Sequence, residues 1–216
     1  MGKLWFVVGM CGILSLGSTM AAEKLSDFKA KAPEVAERTK AALESAAFKG
    51  LQQEFKEKRV AARFLVKGAR TAKFLNAKDK KEYFLTAVPI VSHFRMAAPP
   101  LAALIISNGD ELRAGSLKVS PDRRRELTCT LQASGGKLVA KAKMMETLRE
   151  PPLPVPRGES AIAIAKNPEG DERILVLCRS PYPAKKENEM ECLAVVFYSG
   201  DLAWEKFTPP SEGKEK

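Results

Sequence analysis

Short apolar runs separated by turn residues fill the chain from Leu101 onward, and this rhythm restricts the fold more than any other feature. Leu101–Ser107 and Glu111–Val119 flank Asn108-Gly109-Asp110. Asn-Gly is a strong hairpin signal because a tight hairpin turn needs positive φ at both central residues. Glu126–Ala133 and Lys137–Met144 flank Ser134-Gly135-Gly136, and Ser160–Lys166 and Arg173–Arg179 flank Asn167-Pro168-Glu169-Gly170-Asp171. Met190–Tyr198 and Leu202–Phe207 flank Ser199-Gly200-Asp201. Four hairpins in succession predict an antiparallel β meander, either a sandwich or a partly open barrel, over 83–207. Tyr83–His93 offers a further strand, which Pro89 would confine to an edge because proline cannot donate to a ladder. The alternative there is a kinked helix. Pro151-Pro152-Leu153-Pro154-Val155-Pro156 reads as a stiff, extended crossover between two parts of the sheet.

The stretch before the meander has helical composition, so the fold class is α+β, an N-terminal helical hairpin followed by the β domain. Pro33 suits a first helical position, and Val35, Thr39, Ala42, Leu43 and Ala46 recur at helical spacing. Gly50 reads as a left-handed cap closing this helix. A second helix is expected from Leu51 to Lys67, or on to about 75, with Leu51, Phe55, Ala62, Leu65, Val66 and Ala69 on one face. The rival reading makes Val60–Val66 and Thr71–Leu75 two short strands around Lys67-Gly68. The four units are then a leader over 1–22, a basic helical segment over 23–82, the β domain over 83–207 and a disordered tail over 208–216.

The leader is a short positive start at Lys3, an apolar run from Leu4 to Leu16, and small residues to Ala22 before the first acid, Glu23. This is the pattern of a secretory signal peptide cleaved after Ala21 or Ala22, which places the mature protein in a periplasmic or secreted, extracytoplasmic setting. An uncleaved membrane anchor and a lipidated Cys11 are the alternatives. Export permits disulfides. Cys178 closes one apolar strand and Cys192 opens the next, so the candidate disulfide is Cys178–Cys192; the competing reading leaves all three thiols reduced, with Cys129 inward on its own strand.

Catalytic signatures are sparse. His93 is the single histidine, Gly158-Glu159-Ser160 lacks the second glycine of a nucleophile elbow, and no sequence run has metal-ligand spacing. The sequence therefore points to no metal, no cofactor and no reaction. Carboxylates cluster at Asp110-Glu111, Asp171-Glu172 and Glu187–Glu191, where hairpin turns would hold them in solvent. An envelope hydrolase using such acids, assisted by Cys129 or His93, is the enzymatic alternative.

Charge is the feature above background. The formal net charge is +10, and between Lys49 and Lys81 eleven basic residues face three acids. Arg59, Arg63, Lys67, Arg70 and Lys73 are the candidate anion-binding residues of that segment. The sequence thus predicts a non-enzymatic binding or scaffold protein whose basic helix, about 51–75, meets an anionic lipid, an acidic envelope polymer or a protein partner. Export argues against intracellular nucleic acid. A retained leader would make the protein a membrane-tethered adaptor. Tyr182, Tyr198 and Trp204 are weaker candidates for a protein-contact surface.

Overall fold

The computed structural model describes residues 25–92, 100–109, 111–121, 127–133, 138–148, 153–166, 170–183 and 192–202. The leader, the tail from 203, His93 and the acids at 110, 187, 189 and 191 lie outside them. Two helices come first, α1 (Ala36–Glu44) and α2 (Ala46–Glu57), followed by β1 (Ala62–Phe64), β2 (Arg70–Leu75) and β3 (Glu82–Ser92). Then come β4 (Pro100–Ser107), β5 (Leu112–Pro121), β6 (Leu127–Ala133), β7 (Leu138–Leu148), β8 (Ser160–Lys166), β9 (Glu172–Arg179) and β10 (Cys192–Tyr198). Their ladders are antiparallel in the order β1-β3-β4-β5-β6-β7-β10-β9-β8, with β2 also on β3, and the sheet curls into a half-barrel. The α+β class with an antiparallel meander holds.

Three of the four expected hairpin pairs form: β4 with β5, β6 with β7 and β8 with β9. The fourth does not begin as expected. After Tyr198 the chain enters a 3-10 turn, Ser199–Leu202, which buries Leu202 in the core. Instead of pairing forward, β10 slots between β9 and β7, a Greek-key return.

Side chains fill the curl. Tyr83, Leu85, Leu104, Leu117, Val176 and Phe197 share one inner cluster with residues of β2 and β8 and with Leu193 and Val195 of β10. The outer face is covered twice. Over β3, β4 and β5, α2 lays down Phe48, Leu51 and Phe55, with Ala42 of α1 beside them. Over β8, β9 and β10 lie Phe28, Leu153 and Val155. Leu153 and Val155 are buried while Pro154 and Pro156 stay exposed, so the expected stiff crossover also roofs the sheet. Two arginines hold these covers. Arg179 Nη1 donates to Val155 O at 2.9 Å, and Arg173 pairs with Asp27 at 3.3 Å.

Several boundaries differ from expectation, each for a local reason. The break between the helices falls at Ser45, not Gly50. Phe48 N donates to Ser45 Oγ at 3.2 Å while that hydroxyl donates to Ala42 O at 2.6 Å, so one side chain serves both helix ends. The helix expected to reach 67 or 75 stops at Glu57. Arg59 then takes φ +52, and the chain continues as β1, a 3-10 turn over Val66–Gly68, and β2, close to the rival two-strand reading. Pro89 is not on an edge strand. On one side the β3–β4 ladder runs from Phe84 to Pro89, while on the other the β2 ladder ends at Ala87 and the β1 ladder begins at Ile90. Proline's missing N–H falls in the gap between two partner strands, where its carbonyl accepts from Leu65 N at 2.9 Å.

Two glycines separate backbone economy from packing. Gly50 is inside α2 and a Cβ there would meet nothing within 4 Å, so Gly50→Ala should raise the unfolding free energy by about 0.5–1 kcal/mol. At Gly68 a Cβ would lie 2.0 Å from the Gly158 carbonyl oxygen, so Gly68→Ala should lower stability by about 1–3 kcal/mol. Urea unfolding of both variants checks the pair of signs, and a stabilised Gly68→Ala would contradict the packing described.

Candidate anion-binding face

The basic segment folds where the two ends of the curled sheet meet. Segment 31–35 forms antiparallel bridges to both, Lys31 with Ala163 on β8 and Glu34 with Ala72 on β2. Ala32 N donates to Ile162 O at 2.8 Å and Val35 N to Thr71 O at 3.0 Å. Beside it, Ser160 Oγ lies 3.0 Å from Gly68 O and 2.8 Å from Ala87 O, a buried hydroxyl shared between β8 and the opposite end. Leu75 N donates to Glu172 Oε2 at 2.7 Å, and Asn76 Nδ2 to Ser199 O at 2.9 Å.

This seam decides what each predicted cation can do. Arg70 is half-buried and held between carboxylates, Glu34 at 3.2 Å and Glu159, while also donating to Ala69 O. Lys73 projects outward from β2 and pairs with Glu82 at 2.7 Å. These two are consumed by the fold. Arg59, Arg63 and Lys67 are exposed and have no ion pair among the described residues. They do not share a helix face. Arg59 sits in the turn after α2, Arg63 in β1 between the inward-leaning Ala62 and Phe64, and Lys67 on the 3-10 turn.

Next to Lys67 the structure opens a groove of about 410 Å³ between α1 and the 66–70 stretch. Lys40 and Leu43 line one wall, Val66 and Lys67 the other, and Ala69 and Arg70 are also in the lining. The gap exists because α1 is a poor apolar donor. Only Ala42 of its nine residues is buried, and it rests on the sheet through hydroxyls, Thr39 Oγ1 donating to Thr71 Oγ1 at 2.8 Å and Thr71 lying 2.7 Å from Thr86 Oγ1. Arg38 packs over the Phe84 ring, 4.7 Å from its centroid, so it too is turned onto the sheet.

Val66 and Lys40 were not legible as site residues. A helix through 51–75 assigns Val66 to the buried face, whereas on the 3-10 turn it is 43% exposed. The available signal is Gly68, around which the rival two-strand reading turns the chain.

Two of the acids considered for hydrolysis, Asp171 and Glu172, serve structural roles. Asp171 accepts from Tyr198 Oη at 2.7 Å and pairs with Lys80 at 3.5 Å, and Glu172 is bound to Leu75 N. Cys129 lies on β6 opposite Val119 and Ala142. Among the described residues no group of three or more His, Cys, Asp or Glu could hold a metal ion, and no helix is long and apolar enough to cross a membrane.

The expected Cys178–Cys192 bridge is corrected. Strands β9 and β10 do pair, but Cys178 stands opposite Leu193 and Cys192 opposite Arg179. That one-residue offset sends the thiols to opposite faces, Cys178 into the inner cluster and Cys192 into the outer one, and both are buried thiols outside any disulfide. Burial pushes the Cys178 thiol well above its usual range, with Cys192 nearby adding to the shift.

No family model, no curated protein and no solved structure matches the chain.

The thiol arrangement has a pH consequence. The folded state holds the Cys178 proton more tightly than the unfolded chain does, so its contribution to stability is complete below the unfolded pKa of about 8.5 and declines as pH rises above it. Urea unfolding between pH 7 and 10 should show a fall that is smaller in Cys178→Ala. An equal fall in both proteins would remove Cys178 as its cause.

Proposed function

We propose that this is an exported, non-enzymatic binding or scaffold protein that meets an anionic partner through the face carrying Arg59, Arg63 and Lys67. The single observation that carries this reading is the division of the basic segment. Arg70 and Lys73 are neutralised by acids that belong to the fold, whereas Arg59, Arg63 and Lys67 stand exposed and free of ion pairs among the described residues. Exposed cations with no acid beside them add nothing to folding, so an external anion is their natural counterpart. The interior argues the same way. A curl filled by Tyr83, Leu104 and Phe197 leaves binding to the outside. The leader pattern before Glu23 supports export and so favours an anionic membrane surface or an acidic envelope polymer as the partner.

Retention on a polyanion column or on anionic vesicles should fall as salt rises, because exposed charge contacts are screened over about 10 Å at 0.1 M salt. Replacing Arg59, Arg63 and Lys67 together with Gln should remove most of the retention and leave the unfolding curve unchanged. Lys73→Gln should leave retention nearly intact, since that charge is already paired with Glu82. If Lys73→Gln weakens retention as much as the triple variant, net charge and not this face governs binding.

A further inference from the structure

Val66 is one of few large apolar side chains left exposed among the described residues, and it stands between two unpaired cations in sequence, Arg63 and Lys67. Its position is not a loose loop. The 3-10 turn is closed by Gly68 N donating to Leu65 O at 2.9 Å and Ala69 N to Val66 O at 3.2 Å, and Leu65 N is fastened to Pro89 O on β3. Behind the turn, Gly68 is pressed against the Gly158 carbonyl so closely that no side chain fits, and Arg70 is tied across the seam to Glu159. The seam therefore pushes Val66 and Lys67 outward and holds them there.

Across the groove Lys40 and Leu43 repeat the same pairing of a cation with an aliphatic side chain. Glu34 in the lining is already engaged by Arg70, which leaves Lys40 and Lys67 against Glu44 at the end of α1. A soluble acidic polymer would use the lysines and have no use for the apolar side chains beside them. A phospholipid surface uses both, because phosphate groups lie at the level of the cations and the acyl boundary lies just below. We infer that the groove between α1 and the Val66–Gly68 turn seats an anionic phospholipid headgroup at a bilayer surface, with Val66 entering the interfacial layer and Lys40 and Lys67 flanking the phosphate.

This inference rests on the cationic-face reading but makes a separate demand, an apolar contribution that polyanion binding lacks. Full-length protein is titrated with vesicles of phosphatidylglycerol and phosphatidylcholine, with vesicles of phosphatidylcholine alone, and with a soluble polyphosphate. Val66→Ser should weaken binding to the phosphatidylglycerol vesicles by about five-fold and leave polyphosphate binding unchanged. Lys40→Gln should weaken the same vesicle binding. A Val66→Trp variant reports the geometry directly, its emission shifting to the blue on phosphatidylglycerol vesicles but not on polyphosphate or on phosphatidylcholine alone. Equal vesicle affinity of Val66→Ser and the natural protein, with no blue shift in Val66→Trp, overturns the lipid assignment while leaving the cationic face standing. Failure of the natural protein to bind either anion overturns both.

Discussion

A curled sheet with two unpaired ends must cover or join them, because exposed strand edges leave rows of backbone donors and acceptors without partners. Here the joining element is segment 31–35, hydrogen-bonded through Ala32 to β8 and through Val35 to β2. It supplies one backbone donor to each end, which is little by itself. The contacts beside it complete the join, since Ser160 reaches two carbonyls of the opposite end, Arg70 meets Glu34 and Glu159, and Glu172 receives Leu75 N. Closure brings residues of β2 and β3 into one inner cluster with those of β8, β9 and β10, so the core depends on it.

The surface depends on the same join. Arg70 would be a natural phosphate ligand if free, but the seam takes its charge and uses it to hold two chain segments. The approach of Gly68 to Gly158 lets the 3-10 turn sit flush on the opposite end, with Val66 and Lys67 facing away. Structure and candidate function are thus divided between neighbours in sequence. Arg70 ties two chain segments together and Lys73 is paired with Glu82, while Lys67, three residues before Arg70, has no ion pair among the described residues.

Much of the β architecture was legible because turn chemistry is local. Asn108-Gly109 and the residues around Gly170 mark hairpins from sequence alone, and Gly109 and Gly170 do take positive φ. What was not legible depends on partners distant in the chain. The apolar periodicity of Leu51 to Ala69 fits a helix, but Phe64, which lies off that face, packs edge-on to Phe48 and near Phe55 from a strand, while Val66, which lies on it, is exposed. The place of Pro89 could be judged only once β3 was known to change partners from β2 to β1. The disulfide expectation had the correct strands and the wrong register, and a one-residue offset in a sheet is a change of face. For the candidate site, the sequence singled out the basic segment. It could not sort paired from unpaired cations, because Glu34 and Glu159 are far from Arg70 along the chain.

Native-state hydrogen exchange at the amides of Ala32 and Val35 tests the closure most directly. If segment 31–35 joins the sheet ends, both amides should be protected to a degree approaching that of β3 and β9, since the segment and the contacts beside it would open together. Exchange at the rate of a solvated loop, with β3 and β9 still protected, would show that the sheet stands without this segment.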